Sequence, residues 1–345
     1  MRVFRGTGHA ASRSRGTGPL ATATAVTIGT FDGVHRGHQA MLALLVADAR
    51  RQGLVPTVVT FEPHPRDWFA RRAGDPDAAP RRIGTLRDKV DALARCGIER
   101  TVVLRFDARL AALSPEAFVD EVLVEGLGAG SVRVGDDFRF GAKRAGDFAR
   151  LESLGAARGF AVTRTESYEV AGARVSSSAL RAALADGDMV RAEALLGRPY
   201  GISGHVLRGA RLGRTLGASA GGRDDGFRTL NLRFPHPRPA AGGIFTARVH
   251  GLGETPLDAV ASLGTRPTVD DSGRVLLETH VLDWPATLEV EGGYGRLVRV
   301  DLLAKRRDEA RYDSLAALAA AIGDDVADAR AWFAARSPAR DRIRP

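Results

Sequence analysis

Thr27-Ile-Gly-Thr-Phe-Asp-Gly-Val-His-Arg-Gly-His38 decides the fold class of this 345-residue chain. The stretch leaves an apolar β-type run, Ala25 to Thr30, and enters a segment, His38 to Arg51, that carries Met41, Leu42, Leu45 and Ala49 on one helical face. Gly29, Gly33 and Gly37 permit tight turns and a close approach of backbone to ligand. His35 and His38, three apart at a helix N-terminus, are placed to meet one anionic group, and the free amides and helix dipole add to the same field. Spacing alone makes two such histidines an incidental surface feature more often than a site. Their position in a glycine-rich turn, where a first strand feeds its helix, makes them a nucleotide site with phosphate as the guest.

Outward from this turn, strands and helices alternate. Thr57 to Phe61, Thr101 to Phe106, Ser131 to Gly135 and Phe160 to Thr165 read as strands. Leu86 to Cys96, with Leu86, Val90 and Leu93 on one face, reads as a helix. Ser114 caps another, with Pro115 at its first position and Phe118, Val119 and Val122 inward. The alternation predicts an α/β doubly wound parallel sheet with its ligand crevice at the carboxyl ends of the strands. Beyond Arg198-Pro199 the character changes. Gly201 to Leu207, Thr229 to Phe234, Gly243 to Val249, Ala259 to Leu263, Leu276 to Leu282 and Leu297 to Leu303 are strands joined by Gly- and Pro-rich turns, followed by one helix, Ser314 to Ala335. That order predicts a C-terminal antiparallel β-barrel with a terminal helix, and domains spanning 1–197 and 198–338.

Composition agrees with two domains of ordinary size: 44% of residues are hydrophobic. A single cysteine, Cys96, excludes an intramolecular disulfide and a multi-cysteine zinc site, and reads as a small buried apolar residue. No run approaches the roughly 20 apolar residues that cross a bilayer, so the expected location is cytoplasmic, with no membrane partner. The basic opening, Met1 to Thr24, reads as a short strand, Arg2 to Phe4, and a linker. A net charge of +9 favours polyanions, but the basic residues are scattered and aromatics are only 6%, which argues against a specific nucleic-acid surface.

Four ordered motifs carry a family resemblance. Gly29-Thr-Phe-Asp-Gly-Val-His-Arg-Gly-His38, Phe61-Glu-Pro-His-Pro65, Val134-Gly-Asp-Asp-Phe-Arg-Phe-Gly141 and Val175-Ser-Ser-Ser-Ala-Leu-Arg181 resemble the FMN adenylyltransferase module of prokaryotic bifunctional FAD synthetases, within the nucleotidyltransferase superfamily. Each of the last three also has a plainer reading, as a rigid strand exit, a turn plugged by Phe138 and Phe140, and an ordinary N-cap respectively. The resemblance implies that His35, His38 and Arg181 serve catalysis and that Gly29, Phe31, Asp32, Gly33, Gly37, Ser177 and Ser178 hold ATP. It places His64, Pro65, Asp137 and Phe138 at the flavin, with Asp137 also orienting phosphates or Mg2+. Ser178 stands where the family usually has threonine, which keeps the hydroxyl.

The C-terminal half is similar to the riboflavin kinase module of the same family. Gly204-His-Val-Leu-Arg-Gly-Ala-Arg-Leu-Gly-Arg214, Phe227-Arg-Thr-Leu-Asn231, Gly264-Thr-Arg-Pro-Thr268, Leu277-Glu-Thr-His280 and Arg307-Asp-Glu309 carry it. By resemblance, Glu278 is the base for the ribityl 5'-hydroxyl, Thr229 and Asn231 ligate Mg2+, Gly213 and Arg214 bind ATP phosphates, and Arg307 and Glu309 bind flavin. Two departures stand out: Arg228 occupies a proline position, and Ala218 to Gly226 is an apparent insertion. Arg208 also replaces the usual histidine. A longer loop without proline is less preorganised, which predicts a weakened kinase. Changing Arg228→Pro and deleting 218–226 is therefore expected to raise kinase turnover; an unchanged or lower rate would refute this.

The implied function is FAD biosynthesis, riboflavin to FMN to FAD, with ATP as co-substrate, Mg2+ as cofactor and a monomer or weak homo-oligomer as the working form. The alternative is a monofunctional FMN adenylyltransferase whose degenerate kinase domain binds flavin or regulates. A basic RNA-binding protein, distantly like class I tRNA synthetases, is a rival from another class. It is disfavoured because Ser176 to Arg181 stands where a Lys-rich signature would be.

Overall fold

A computed structural model of the chain describes residues 1–7, 23–170, 172–208, 229–265, 275–285, 288 and 293–336. Two compact units emerge, Met1–Pro80 with Lys89–Ser177, and Arg81–Asp88 with Ser178–Pro345.

The first unit holds β1 (Arg2–Arg5), β2 (Thr24–Ile28), β3 (Val55–Glu62), β4 (Arg100–Arg105), β5 (Ala129–Gly135) and β6 (Ala161–Thr165) in one sheet, ordered β1-β4-β3-β2-β5-β6. Every pairing in it is parallel. The short hairpin β7 (Glu169–Val170) and β8 (Ala173–Arg174) follows. Successive residues of a strand face opposite sides, so Ala25 and Val58 join one core with Leu42, Leu45 and Leu93, while Val26, Ile28 and Val59 join another with Phe118, Leu123 and Leu151. A core on each face is what the near-continuous apolar strands require. From β2 the chain proceeds to β3 on one side and places β5 on the other, so the switch of direction lies between the carboxyl ends of β2 and β5.

The helices form for legible local reasons. α1 (Arg36–Gln52) buries Leu42, Leu45, Val46 and Ala49 and ends at Gly53, whose left-handed backbone closes the last turn. α2 (Pro65–Arg72) starts on a proline. α3 (Leu86–Arg95) buries Lys89, Ala92 and Leu93 rather than the face through Leu86 and Val90, both only partly covered, so the helix is turned from the orientation its aliphatic residues suggest. Ser114 Oγ accepts from the Ala117 amide at 3.1 Å and caps a run that begins as α-helix, Pro115–Phe118, and continues as π-helix, Val119–Glu125. Cys96 is half-buried against the core containing Leu93, more exposed than expected, because it lies at the end of α3.

The second unit has six antiparallel strands: β9 (Tyr200–His205), β10 (Thr229–Arg233), β11 (Gly243–His250), β12 (Leu257–Thr265), β13 (Val275–Val281) and β14 (Leu297–Arg307). Their order is β10-β13-β12-β11-β14-β9, a half-barrel, and the Leu207 amide bonds the Asn231 carbonyl at 2.8 Å, bridging the chain just after β9 to β10. Inward residues such as Phe245, Leu232, Ile202 and Leu277 fill the interior. The terminal helix, Leu315–Ala334, is capped by Ser314 and packs Ala329 and Phe333 against Ile244, Val260 and Leu282. Among the described residues no helix is long and apolar enough to cross a membrane.

Candidate active sites

The histidine turn stands at the carboxyl end of β2, beside the switch point. Gly29 donates its amide to the Val59 carbonyl at 3.0 Å as the chain leaves the sheet. Phe31 and Val34 then take left-handed backbone, φ 47° and 43°, and Gly33 φ 87°. Such backbone costs about 1–3 kcal/mol for a non-glycine residue and persists only where the surroundings over-determine it. Here both side chains are buried, Gln39 Nε2 donates to the Val34 carbonyl at 2.9 Å, and Ser177 Oγ donates to the Asp32 carbonyl at 3.1 Å. The two hydrogen bonds tie the turn to α1 and to the start of the helix Ser177–Asp186.

His35 is the N-cap of α1: its Nδ1 accepts from the His38 amide at 3.3 Å. An accepting Nδ1 leaves the proton of the neutral ring on Nε2, as a donor on the far side. The His35 and His38 rings stack at 3.7 Å between centroids, 15° from parallel, so two imidazoles share the positive end of one helix. Gly37 allows it, because a β-carbon there would press on the His35 ring at 3.3 Å and the Val175 carbonyl at 3.4 Å.

After β3, His64 caps α2: its Nδ1 accepts from the Arg66 amide at 3.1 Å, and the ring is buried. With Pro65 it aims α2 so that Trp68 and Phe69 meet Phe106, which follows β4. The ring centroids lie 5.7 Å and 5.8 Å from that of Phe106, and Phe61 adds an edge at 5.8 Å. Phe69 keeps 52% of its surface exposed. This aromatic shelf was not among the expected site residues, although a Trp-Phe pair just after the His-Pro motif, in a chain poor in aromatics, was a readable signal. After β5, Asp136 accepts from Ser167 Oγ at 2.7 Å and from Arg174 at 3.2 Å; these partners hold its carboxyl below the usual carboxylate range. Asp137 accepts from the same arginine at 3.3 Å, with its side chain 79% exposed. Phe138 stacks on the buried Phe140 at 5.5 Å. Of the last motif, Ser178 and Arg181 belong to the second unit, where Arg181 Nε donates to the Arg81 carbonyl at 2.7 Å.

On the barrel, Glu278 and His280 alternate with the buried Leu277, Thr279 and Val281, which puts both on the outer face. Register sets Asn231, Glu278 and Ser262 directly abreast on β10, β13 and β12, and Thr229 abreast of His280. Asn231, only 5% exposed, turns its Nδ2 toward the Thr229 carbonyl. Ser262 Oγ donates to Glu309 Oε1 at 3.3 Å, and burial pushes that carboxyl up, the Ser262 bond partly offsetting it. Glu309 lies so close on Gly264 that any side chain there would collide. Arg307 commits its fork to Asp325 of the terminal helix, at 2.9 Å and 2.6 Å, and so clamps β14 to that helix. Gly213, Arg214, Arg228 and the 218–226 segment lie outside the described residues.

An FAD synthetase family model matches residues 19–179, and a riboflavin kinase model matches residues 196–333. The bifunctional riboflavin kinase/FMN adenylyltransferase of Escherichia coli strain K12 is 43% identical over 314 residues, covering 91% of this chain and 94% of that one. The chain belongs to the bifunctional riboflavin kinase/FMN adenylyltransferase family. Its member from Haemophilus influenzae is 35% identical, with 96% of this chain and 99% of that one covered. A solved structure, a macrolide-efflux protein from Streptococcus pneumoniae, shares the fold with a TM-score of 0.71 and 25% identity over 96% of this chain and 100% of that one. Both modules of the family are thus present, and the kinase match runs across the Arg228 region, which favours two activities over the monofunctional alternative.

Proposed function

We propose that the protein makes FAD from riboflavin in two ATP-dependent steps, phosphorylation to FMN on the barrel and adenylylation of FMN at the histidine turn. The stacked His35–His38 pair at the N-terminus of α1, with His35 as its cap, is the observation that carries the second step. A phosphate oxygen of FMN attacks the α-phosphorus of ATP and pyrophosphate leaves, so the site must hold two anions in line and neutralise charge on the non-bridging oxygens. His35 and His38 do this with ring donors and the helix terminus, while Gly29, Phe31, Asp32, Gly33 and Gly37 shape the turn around the phosphates. Ser177, Ser178 and Arg181 are assigned to the triphosphate, and Asp137 and Phe138 to the flavin side. On the barrel, Glu278 takes the proton of the ribityl 5'-hydroxyl as that oxygen attacks the γ-phosphorus and ADP leaves.

No group of three or more His, Cys, Asp or Glu side chains suited to a metal occurs among the described residues. The oxygen donors of Thr229 and Asn231 beside Glu278 nonetheless fit a magnesium ion, which is commonly held by few protein ligands together with substrate phosphates. When bound, that ion neutralises charge on the phosphate oxygens; Thr229 and Asn231 are the residues assigned to hold it. The adenylyltransferase domain is assigned to 1–197 and the kinase domain to 198–338, in a cytoplasmic monomer or weak homo-oligomer.

Chromatography of flavins after incubation with ATP and Mg2+ tests the whole reading. FAD is expected from riboflavin and from FMN; FAD from FMN alone would leave the kinase domain degenerate, and none from either would sink the proposal. The exposed Phe69 adds a finer test, since a flat apolar face beside the nucleotide crevice suits an isoalloxazine ring. F69A is expected to raise the KM for FMN about tenfold with a smaller change in kcat, the loss of one stacking contact. An unchanged KM would remove the aromatic shelf from the flavin site.

A further inference from the structure

Lys89 stands on the core face of α3, 4% exposed, beside the buried Ala92 and Leu93. A charged amine persists in such surroundings only where hydrogen bonds and charge hold it. Lys89 Nζ donates to Thr60 Oγ1 at 3.2 Å, and Thr60, fully buried in β3, passes the bond on, its hydroxyl donating to the Thr30 carbonyl at 3.2 Å. Thr30 opens the turn that continues through the left-handed Phe31 and Val34 to the capping His35. Amine, hydroxyl and carbonyl thus form one chain running from α3 through β3 to the base of the histidine turn.

We propose that Lys89 is a positioning residue for adenylyl transfer, fixing through Thr60 the turn that presents His35 and His38 and setting a buried positive charge behind it. The inference rests on the adenylyltransferase reading of that turn. A turn with two non-glycine residues at positive φ relaxes unless neighbouring groups over-determine it, and the tethered Thr30 carbonyl is a fixed point at its start. A charge held in a low-dielectric interior also acts more strongly on developing phosphate charge than one in solvent, and needs no reorganisation during the reaction. The arrangement places a hydrogen-bonding amine where aliphatic packing would have served the core equally well.

The experiment uses the full-length chain and four variants: T60V, T60S, K89M and K89R. Steady-state FAD formation from FMN gives kcat and both KM values, while riboflavin phosphorylation and thermal melting on the same samples report the fold. T60V keeps the volume of threonine and deletes the hydroxyl; its kcat is expected to fall about 10- to 100-fold, the cost of a misplaced catalytic group, with the KM for FMN little changed. T60S restores the hydroxyl and is expected to recover kcat to within about threefold of the parent chain. K89M should match T60V, whereas K89R, which keeps the charge, should retain more activity than K89M. Full kcat in folded T60V or K89M, a loss confined to KM, or T60S as impaired as T60V would each overturn the proposal. If K89M melts early or loses phosphorylation, the T60V and T60S pair decides alone. Absence of FAD formation by the parent chain would instead strike at the adenylyltransferase reading itself.

Discussion

E278Q is expected to lower riboflavin phosphorylation by about 10²- to 10⁴-fold, the range a positioned general base contributes, while FMN adenylylation stays within about twofold. Glutamine matches glutamate in shape and preserves the register of β13 between β10 and β12, so Asn231 and Ser262 keep their neighbour. What it removes is the capacity to take the proton of the attacking hydroxyl. The effect should fall on kcat, with the KM for riboflavin little altered, because an interaction realised in the transition state is lost. Quantifying FMN and ADP release in the same reaction checks it. A kcat reduced less than tenfold would mean that the base is another group, and the carboxyl of Glu309, linked through Ser262 to the same face, would be the next to replace.

H38A is expected to reduce FAD formation from FMN by about 10²- to 10³-fold, the usual consequence of removing one preorganised donor from a site of developing negative charge. His38 lies in the first turn of α1, and its ring stacks on that of His35. Its replacement leaves the cap intact, since the cap uses the His38 backbone amide rather than its ring. H35A removes both a ring and the cap, adding about 1 kcal/mol of helix destabilisation, so the two variants should differ in melting temperature. Riboflavin phosphorylation should survive both. Should H38A form FAD at the parent rate, the stacked pair would be merely a structural cap, and the turn would lose its assigned chemistry.

The strands, most helices and the change of character near residue 200 were legible because each depends on local periodicity and punctuation. Ser114 followed by Pro115 announced a helix start, and the alternation along Leu276 to Leu282 announced a half-buried strand. The orientation of α3 was not legible. Its aliphatic residues suggested one face, yet the fold buries Lys89, because the Thr60 hydroxyl on β3, itself bonded to the Thr30 carbonyl, receives its amine there. Nor was the grip of Arg307 on Asp325 legible, because no local pattern could pair it with a carboxylate on the terminal helix. The aromatic shelf likewise joins Phe69 with Phe106, from separate strand exits.

By itself the sequence determined the order of the two family modules, the parallel and antiparallel sheets and the family motifs, since these follow from residue type and short-range spacing. Only the tertiary structure decided that His35 caps the helix and stacks on His38, that Ser177 braces the turn through Asp32, and that Ser262, abreast of Glu278, donates to Glu309. Asp32 and Ser177 are 145 residues apart, and Ser262 and Glu309 are 47 apart. Contacts across such separations form because burying apolar strands and helices brings their ends together, and the geometry of that burial belongs to the whole fold rather than to any segment.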